Sequence, residues 1–331
     1  MKARLAALFV LLVSGLSLFA NDEVFVKPDD EIFDKTKKAE SPNTPLMFEI
    51  MSNTTVKVVD YIPSSGIDSV VVPEKVQIEG KEYKVVCIGK KAFGGYRKLK
   101  SVELPSTLTT IEDFAFSYSE DLSRVVIPSS VYKIGERAFF RCKRLTTINI
   151  PSGISTISEG AFAYCENLEE IVIPYRVFTI ESNAFRGCKK LSKVEIPNSV
   201  EKIGDGAFLD CESLASIEIP CSVEAEAFSY CKNLKSVKLP EYGRIIGTRV
   251  FAFCTSLESV ELPQSLESIK PGAFQDCKSL KKVIVPSKVN RIGERAFMNC
   301  ENLDLIIDNS QDKVYLEYQA TYNCKSVTYK K

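Results

Sequence analysis

Proline returns at 105, 128, 151, 174, 197, 220, 240, 263 and 286, every 23 residues except for one interval of 20 between Pro220 and Pro240. A fixed period of this length dictates the fold before any single motif is considered. Other columns keep the same phase. An Ala-Phe pair recurs around Phe93, Phe116, Phe139, Phe162, Phe185, Phe208, Phe228, Phe274 and Phe297, and Phe251 joins them with Val250 in place of alanine. Cysteine follows three residues later from Cys142 to Cys300, with Tyr96 and Ser119 in that place in the first two units. Leucine marks ten units from Leu99 to Leu303.

One unit, Leu145 to Asn167, shows what each column does. Ile148 and Ile150 are two apart and so share one face of a short strand. Pro151 ends that strand because it has no N–H for a ladder. Ile154 and Ile157 turn the chain inward again. Ala161, Phe162 and Cys165 stand at helical spacing, which predicts about one turn of helix with an apolar face. No such unit can bury its apolar side alone, so the units must stack. Parallel strands spaced by roughly 4.8 Å would make a sheet about 45–50 Å long. The bulkier Ala-Phe turns should need more room, leaving the strands on the inside of a bend. The expected fold class is an α/β repeat solenoid with a parallel concave sheet and short helical turns on the convex side.

The pattern L-x-x-[VI]-x-[IL]-P, then Ser-Val or Ser-Leu, then I-G-x-x-A-F-x-x-C stands here as LTTINIPSGISTISEGAFAYC and VEIPNSVEKIGDGAFLDC. It resembles the repeat of the BspA-like, or treponemal-type, leucine-rich-repeat proteins of bacteria, over residues 83–308. The resemblance implies a right-handed solenoid and a role in surface adhesion or protein binding. It concerns scaffold positions and carries no catalytic residue over to this chain.

The flanks divide the rest. Lys2 and Arg4 precede an apolar run from Leu5 to Phe19 that ends at Ala20, the layout of a signal peptide over residues 1–20. A secreted, cell-surface or periplasmic location is therefore expected, with no transmembrane segment once that leader is removed. Residues 21–45, rich in charge and proline, read as a flexible tether. Residues 46–83 read as an N-terminal β cap with a hairpin around Ser52-Asn53-Thr54, and residues 309–331 as a C-terminal cap beyond a solenoid spanning 84–308. Asn53-Thr54-Thr55 also fits a glycosylation pattern, incidental in a bacterial chain.

Composition narrows the chemistry. With no histidine, the commonest general base and metal ligand is missing. With 43 basic and 43 acidic residues there is no net field to attract nucleic acid. No glycine-rich phosphate loop, nucleophile elbow or Cys-x-x-Cys pair is present, so neither cofactor, metal nor catalytic residue is expected. The column cysteines are expected as buried free thiols, with Cys87, Cys221 and Cys324 outside the column and better placed to be exposed or paired. The three-residue loss after Pro220 predicts a local change of curvature near Cys221 to Ala227.

Strand alternation sends one column away from the core: Glu103, Val126, Asn149, Val172, Glu195, Glu218, Lys238, Glu261, Ile284 and Ile307, the last of these with the alternative of lying under the end cap. Its residues are not needed for folding, and Val126, Val172 and Ile284 are apolar, which makes Val126 to Ile284 the candidate protein-binding face. The alternative is an ordinary solvated sheet. Glu195 and Glu218, expected at about 5 Å by strand spacing, resemble a retaining glycosidase pair, but an open sheet holds no pocket, and Lys238 makes a charge ladder the plainer account. Two functions follow: an adhesin-like module for an extracellular-matrix or cell-surface protein, or a structural envelope scaffold without a dedicated partner.

Overall fold

The computed structural model describes residues 38–40, 44–62 and 68–330. The signal peptide and most of the tether lie outside them. Residues 38–40 within the tether range form a strand, Lys38–Glu40, antiparallel to Leu46–Ile50. Leu46–Ile50 in turn forms the expected hairpin with Thr55–Tyr61, the Ser52 side chain bonding to the Thr54 and Thr55 N–H groups at 3.2 Å. Thr55–Tyr61 then pairs in parallel with Lys81–Ile88, and from there the chain coils.

The solenoid has about 11 turns. All but one of the coils contribute a strand to the strand face, and a second parallel ladder runs beside it. On the strand face, Ser69–Val71, Ser101–Glu103 and Arg124–Val126 form one sheet, and Glu170–Val172 pairs with Lys193–Glu195. Ser216–Glu218 starts a longer sheet that runs through Ser236–Lys238 to Ser326–Tyr329. After the proline, a two-residue strand such as Thr179–Ile180 or Lys202–Ile203 builds a second face. The core between the faces is filled by the columns read from the sequence, including Leu145, Ile148, Ile150, Ile154 and Ile157.

The third side of each coil is not helical. Among the described residues the only helix is a three-residue 3₁₀ turn, Gln311–Lys313. In the Ala-Phe segment the N–H groups alternate in direction. Arg137, Phe139 and Arg141 donate to Glu159, Ala161 and Ala163 of the next coil, at 2.8–2.9 Å. Ala138, Phe140 and Cys142 donate back three residues to Gly135, Arg137 and Phe139. Arg137 and Arg141 have φ of 51° and 59°, the left-handed value that type II turns require, and a helix cannot pass through it. The helical spacing of Ala, Phe and Cys is produced by consecutive β-turns, whose spare N–H groups tie neighbouring coils together.

The phenylalanines stack without interruption from Phe93 to Phe297, with ring centroids 5.1–5.9 Å apart. That spacing exceeds the roughly 4.8 Å between paired strands. The difference has the sign needed for the strands to lie on the inside of a bend. The column cysteines are buried and unpaired, and each thiol donates to the phenylalanine carbonyl of the preceding coil, as Cys188 Sγ does to Phe162 O at 3.2 Å.

Three expectations are corrected at the array's margins. Cys324 belongs to the cysteine column, since its thiol donates to Phe297 O at 3.3 Å. Residues 314–329 add one further coil, with Tyr315–Leu316 and Ser326–Tyr329 joining the two ladders. Cys87 is buried, not exposed, because it sits on the strand that carries the cap into the first coil.

Candidate functional site

A column of side chains leaves the strand face because only every second residue of each short strand can enter the core. The register fixes its members. Val71, Glu103 and Val126 are neighbours, Val172 lies beside Glu195, and Glu218 beside Lys238. Val71 joins the column ahead of the first leucine-marked unit, facing outward between the buried Val70 and Val72 of a strand that Pro73 ends. Ile307 is the reverse case. It pairs with Val285 in the core and is fully buried, while Ile306 pairs with Ile284 and takes the outward place. One residue is missing between Leu303 and the strand core at Leu305, and a one-residue slip exchanges the two faces.

The exposed members are of two kinds. Val126 is 61% exposed and Val172 74%, unusual values for valine on a folded surface. Two rungs separate them, roughly 10 Å by strand spacing. Ile284 is also exposed, but five rungs beyond Val172, roughly 24 Å away, so the three do not form one patch. The stretch between is charged. Glu195 pairs with Lys193 on its own strand at 3.5 Å, and Glu218 with Lys238 on the next coil at 2.5 Å. Bonding to Glu218 also moves the Lys238 ammonium above its ordinary pKa. Each carboxylate of the suggested acid pair thus has a lysine partner and stands on an open face. Glu261 is exposed beside them.

Asn149 has a different part. Its coil lacks a regular strand and touches Glu170 only through an isolated bridge at Thr147. The Asn149 side-chain amide fills in for the missing ladder, donating to Ile127 O at 2.7 Å and accepting from Ile127 N–H at 3.0 Å. Exposed as it is, this residue holds the sheet together where it would otherwise end, between Val126 and Val172.

The arrangement offers a long surface with three exposed valines, Val71, Val126 and Val172, toward one end and paired charges along its middle. Among the described residues, no group of three or more Cys, Asp or Glu is placed to hold a metal ion. The column thiols are far from reactive: burial pushes Cys165 and Cys254 up to about 12. No helix of the described residues is long and apolar enough to cross a membrane.

The comparisons with known proteins follow the same coils. The BspA type leucine rich repeat region matches in six copies, over residues 74–190, 156–241 and 211–328. Among solved structures, the chain is similar to the leucine-rich repeat protein TpLRR of T. pallidum, with 29% identity over 59% of this chain and 91% of that one and a TM-score of 0.53. The pneumococcal vaccine antigen PcpA has the same fold at 17% identity, over 89% of this chain and 98% of that one, with a TM-score of 0.52. A leucine-rich repeat protein of Eubacterium ventriosum is alike to a similar degree, at 20% identity, covering 87% and 94%, with a TM-score of 0.51. No curated protein matches significantly. Six copies of the repeat fall on the coils that the strands and stacked phenylalanines mark out, and the chain belongs to the BspA type leucine-rich-repeat family.

Proposed function

We propose that this protein is a secreted or surface-exposed binding module whose strand face, from Val126 to Ile284, takes up an extracellular or cell-surface protein. The observation that carries the reading is the exposure of Val126 and Val172, with Val71 and Ile284 further along the same column, on a face whose middle is charged. Neither residue contributes to the core, and apolar side chains left in water on a rigid face are a common mark of a contact surface. The charged stretch of Glu195, Glu218, Lys238 and Glu261 would then set orientation and partner choice, as charges at an interface rim do. The leader-like first twenty residues support delivery out of the cytoplasm.

The test is saturable binding to a panel of extracellular-matrix and envelope proteins, with a Val126→Asp, Val172→Asp, Ile284→Asp variant alongside. The expected result is binding that the variant loses while its circular dichroism and melting stay unchanged. Binding equal in both proteins, or none to any panel member, would move the function to a structural envelope scaffold.

A further inference from the structure

From Pro105 to Pro286, seven coils place a buried aliphatic residue three positions after the strand-ending proline, ahead of the second-face strand; two successive coils do not. Leu108, Val131, Ile154, Val177, Val200, Leu266 and Val289 all fill that place and are fully or almost fully buried. The coil after Pro220 has lost the residue together with its neighbours, and in the next coil the position is Gly243. Two consecutive gaps in one core column leave a hole that neither coil can close.

The structure bears a pocket of about 380 Å³ at this place, within the size range of small-molecule sites. Its floor is made by core residues, Val250, Phe251 and Leu266. Its wall includes the half-buried Cys221 and Val223. Two further features mark the same spot. The second face is unpaired between Ser222–Val223 and Ile245–Ile246. The widest ring separation of the phenylalanine column, 5.9 Å, lies between Phe228 and Phe251. At the mouth stand Tyr242, 87% exposed, and Ile245, 56% exposed, two large apolar side chains that a bound chain would cover.

Only one charged residue lines the pocket, Arg244. Its guanidinium reaches Glu267 at 2.7 Å through one nitrogen, and the fork carries five N–H donors, enough for a second carboxylate. An apolar hole with a single cation at its mouth is complementary to one kind of ligand.

We propose that this pocket binds a single-chain anionic amphiphile, a fatty-acid-like carboxylate with its alkyl chain on Phe251 and Leu266 and its acid group on Arg244. The site is separate from the strand face and does not depend on the binding function assigned to it.

The test is calorimetric titration of the purified protein with straight-chain carboxylic acids of increasing length and with the matching alcohols, all below their micelle concentrations. Affinity should rise about fourfold per added methylene until the pocket is full. The acid should bind about tenfold more tightly than its alcohol. Arg244→Ala should abolish that preference and leave alcohol binding as it was. Gly243→Val should weaken all ligands at least about tenfold, since it restores the missing core residue at a turn that carries valine in other coils. As a check that needs no variant, a bound acid should slow alkylation of Cys221 but not of Cys324, read by peptide mass spectrometry. The proposal is overturned by an absence of saturable binding, by equal affinity for acid and alcohol, or by Cys221 alkylation that the acid leaves unchanged.

Discussion

Ser119 donates its hydroxyl to the carbonyl oxygen of Phe93 at 2.6 Å, in the place where every later coil from Cys142 onward uses a thiol. The serine shows what the column requires: a small side chain with a donor aimed at the coil below. The phenylalanine carbonyl accepts an N–H from its own turn, and the side chain supplies a second bond to a group sealed from water. Cys188→Ala should therefore cost about 1–2 kcal/mol in chemical denaturation, and Cys188→Ser less. A serine variant less stable than the alanine variant would mean that sulfur packing, not the donor, matters.

The same thiols make the fold sensitive to base. Burial holds Cys165 and Cys254 up to about 12 and raises Cys142, Cys188, Cys211, Cys231 and Cys277 in the same direction, from an ordinary value of 9.0. Below pH 9 both folded and unfolded thiols keep their protons, and stability is unaffected. Above it the unfolded chain ionises first, so stability falls as pH rises, by up to about 1.4 kcal/mol per pH unit for each thiol. Melting temperature measured from pH 8 to 10.5 should drop steeply past 9, and Cys188→Ala should make the drop shallower. A slope unchanged in that variant would assign the loss to other groups.

Close approach of the coils depends on glycine at Gly135. A Cβ there would stand 2.5 Å from the backbone nitrogen of Asp113, in the coil before. Gly135→Ala should cost about 2 kcal/mol or more, because backbone must shift to admit it. At Gly153 the nearest atom would be 3.4 Å away, and Gly153→Ala should change stability by no more than about 0.5 kcal/mol. Equal costs at the two positions would show that the coils have room to slide.

Asn149→Ala should cost about 1–2 kcal/mol, since the Ile127 N–H and carbonyl lose the amide that stands in for a strand. Glu261→Ala, on the same face, should be close to neutral. Hydrogen exchange of the Ile127 amide offers the direct readout: it should quicken in the asparagine variant and not in the other. Any loss of partner binding in Asn149→Ala would accordingly report on the sheet and not on a contact.

Most of the coil was legible because its columns are chemical. Leu145, Ile148, Pro151 and Phe162 each have one physical reason to recur, and periodicity makes the reasons visible. The Ala-Phe turn was misread as helix because its apolar spacing is that of a helical turn. What distinguishes it is a positive φ at Arg137 and Arg141, where long side chains give no sign of a left-handed backbone. Only the coils with Gly95, Gly160, Gly187, Gly206 or Gly272 at those positions carry a glycine as a hint. Ile307 and Cys324 were misplaced for a simpler reason. One lost residue after Leu303 and the exchange of phenylalanine for Thr321 hide the phase that the structure keeps. On the strand face, exposure could be predicted from alternation, whereas the amide bridge of Asn149 could not, because it answers a gap in a neighbouring strand.

The short coil after Pro220 also changes how the array bears load. Across it the strand face is continuous, with Ser216–Glu218 bonded to Ser236–Lys238 and that strand to Ser259–Val260. The second face is unpaired here, and the ring separation in the core is at its widest. The Ala-Phe turns stay tied across the gap, Phe228 and Tyr230 donating to the carbonyls of Val250 and Ala252 at 3.0 and 2.8 Å, so the rod is fastened along two edges and open along the third. The stretch bearing Val126 and Val172 and the stretch bearing Ile284 are therefore held in one fixed relation along the strand face, and whatever give the array has at this coil lies on the side that carries neither.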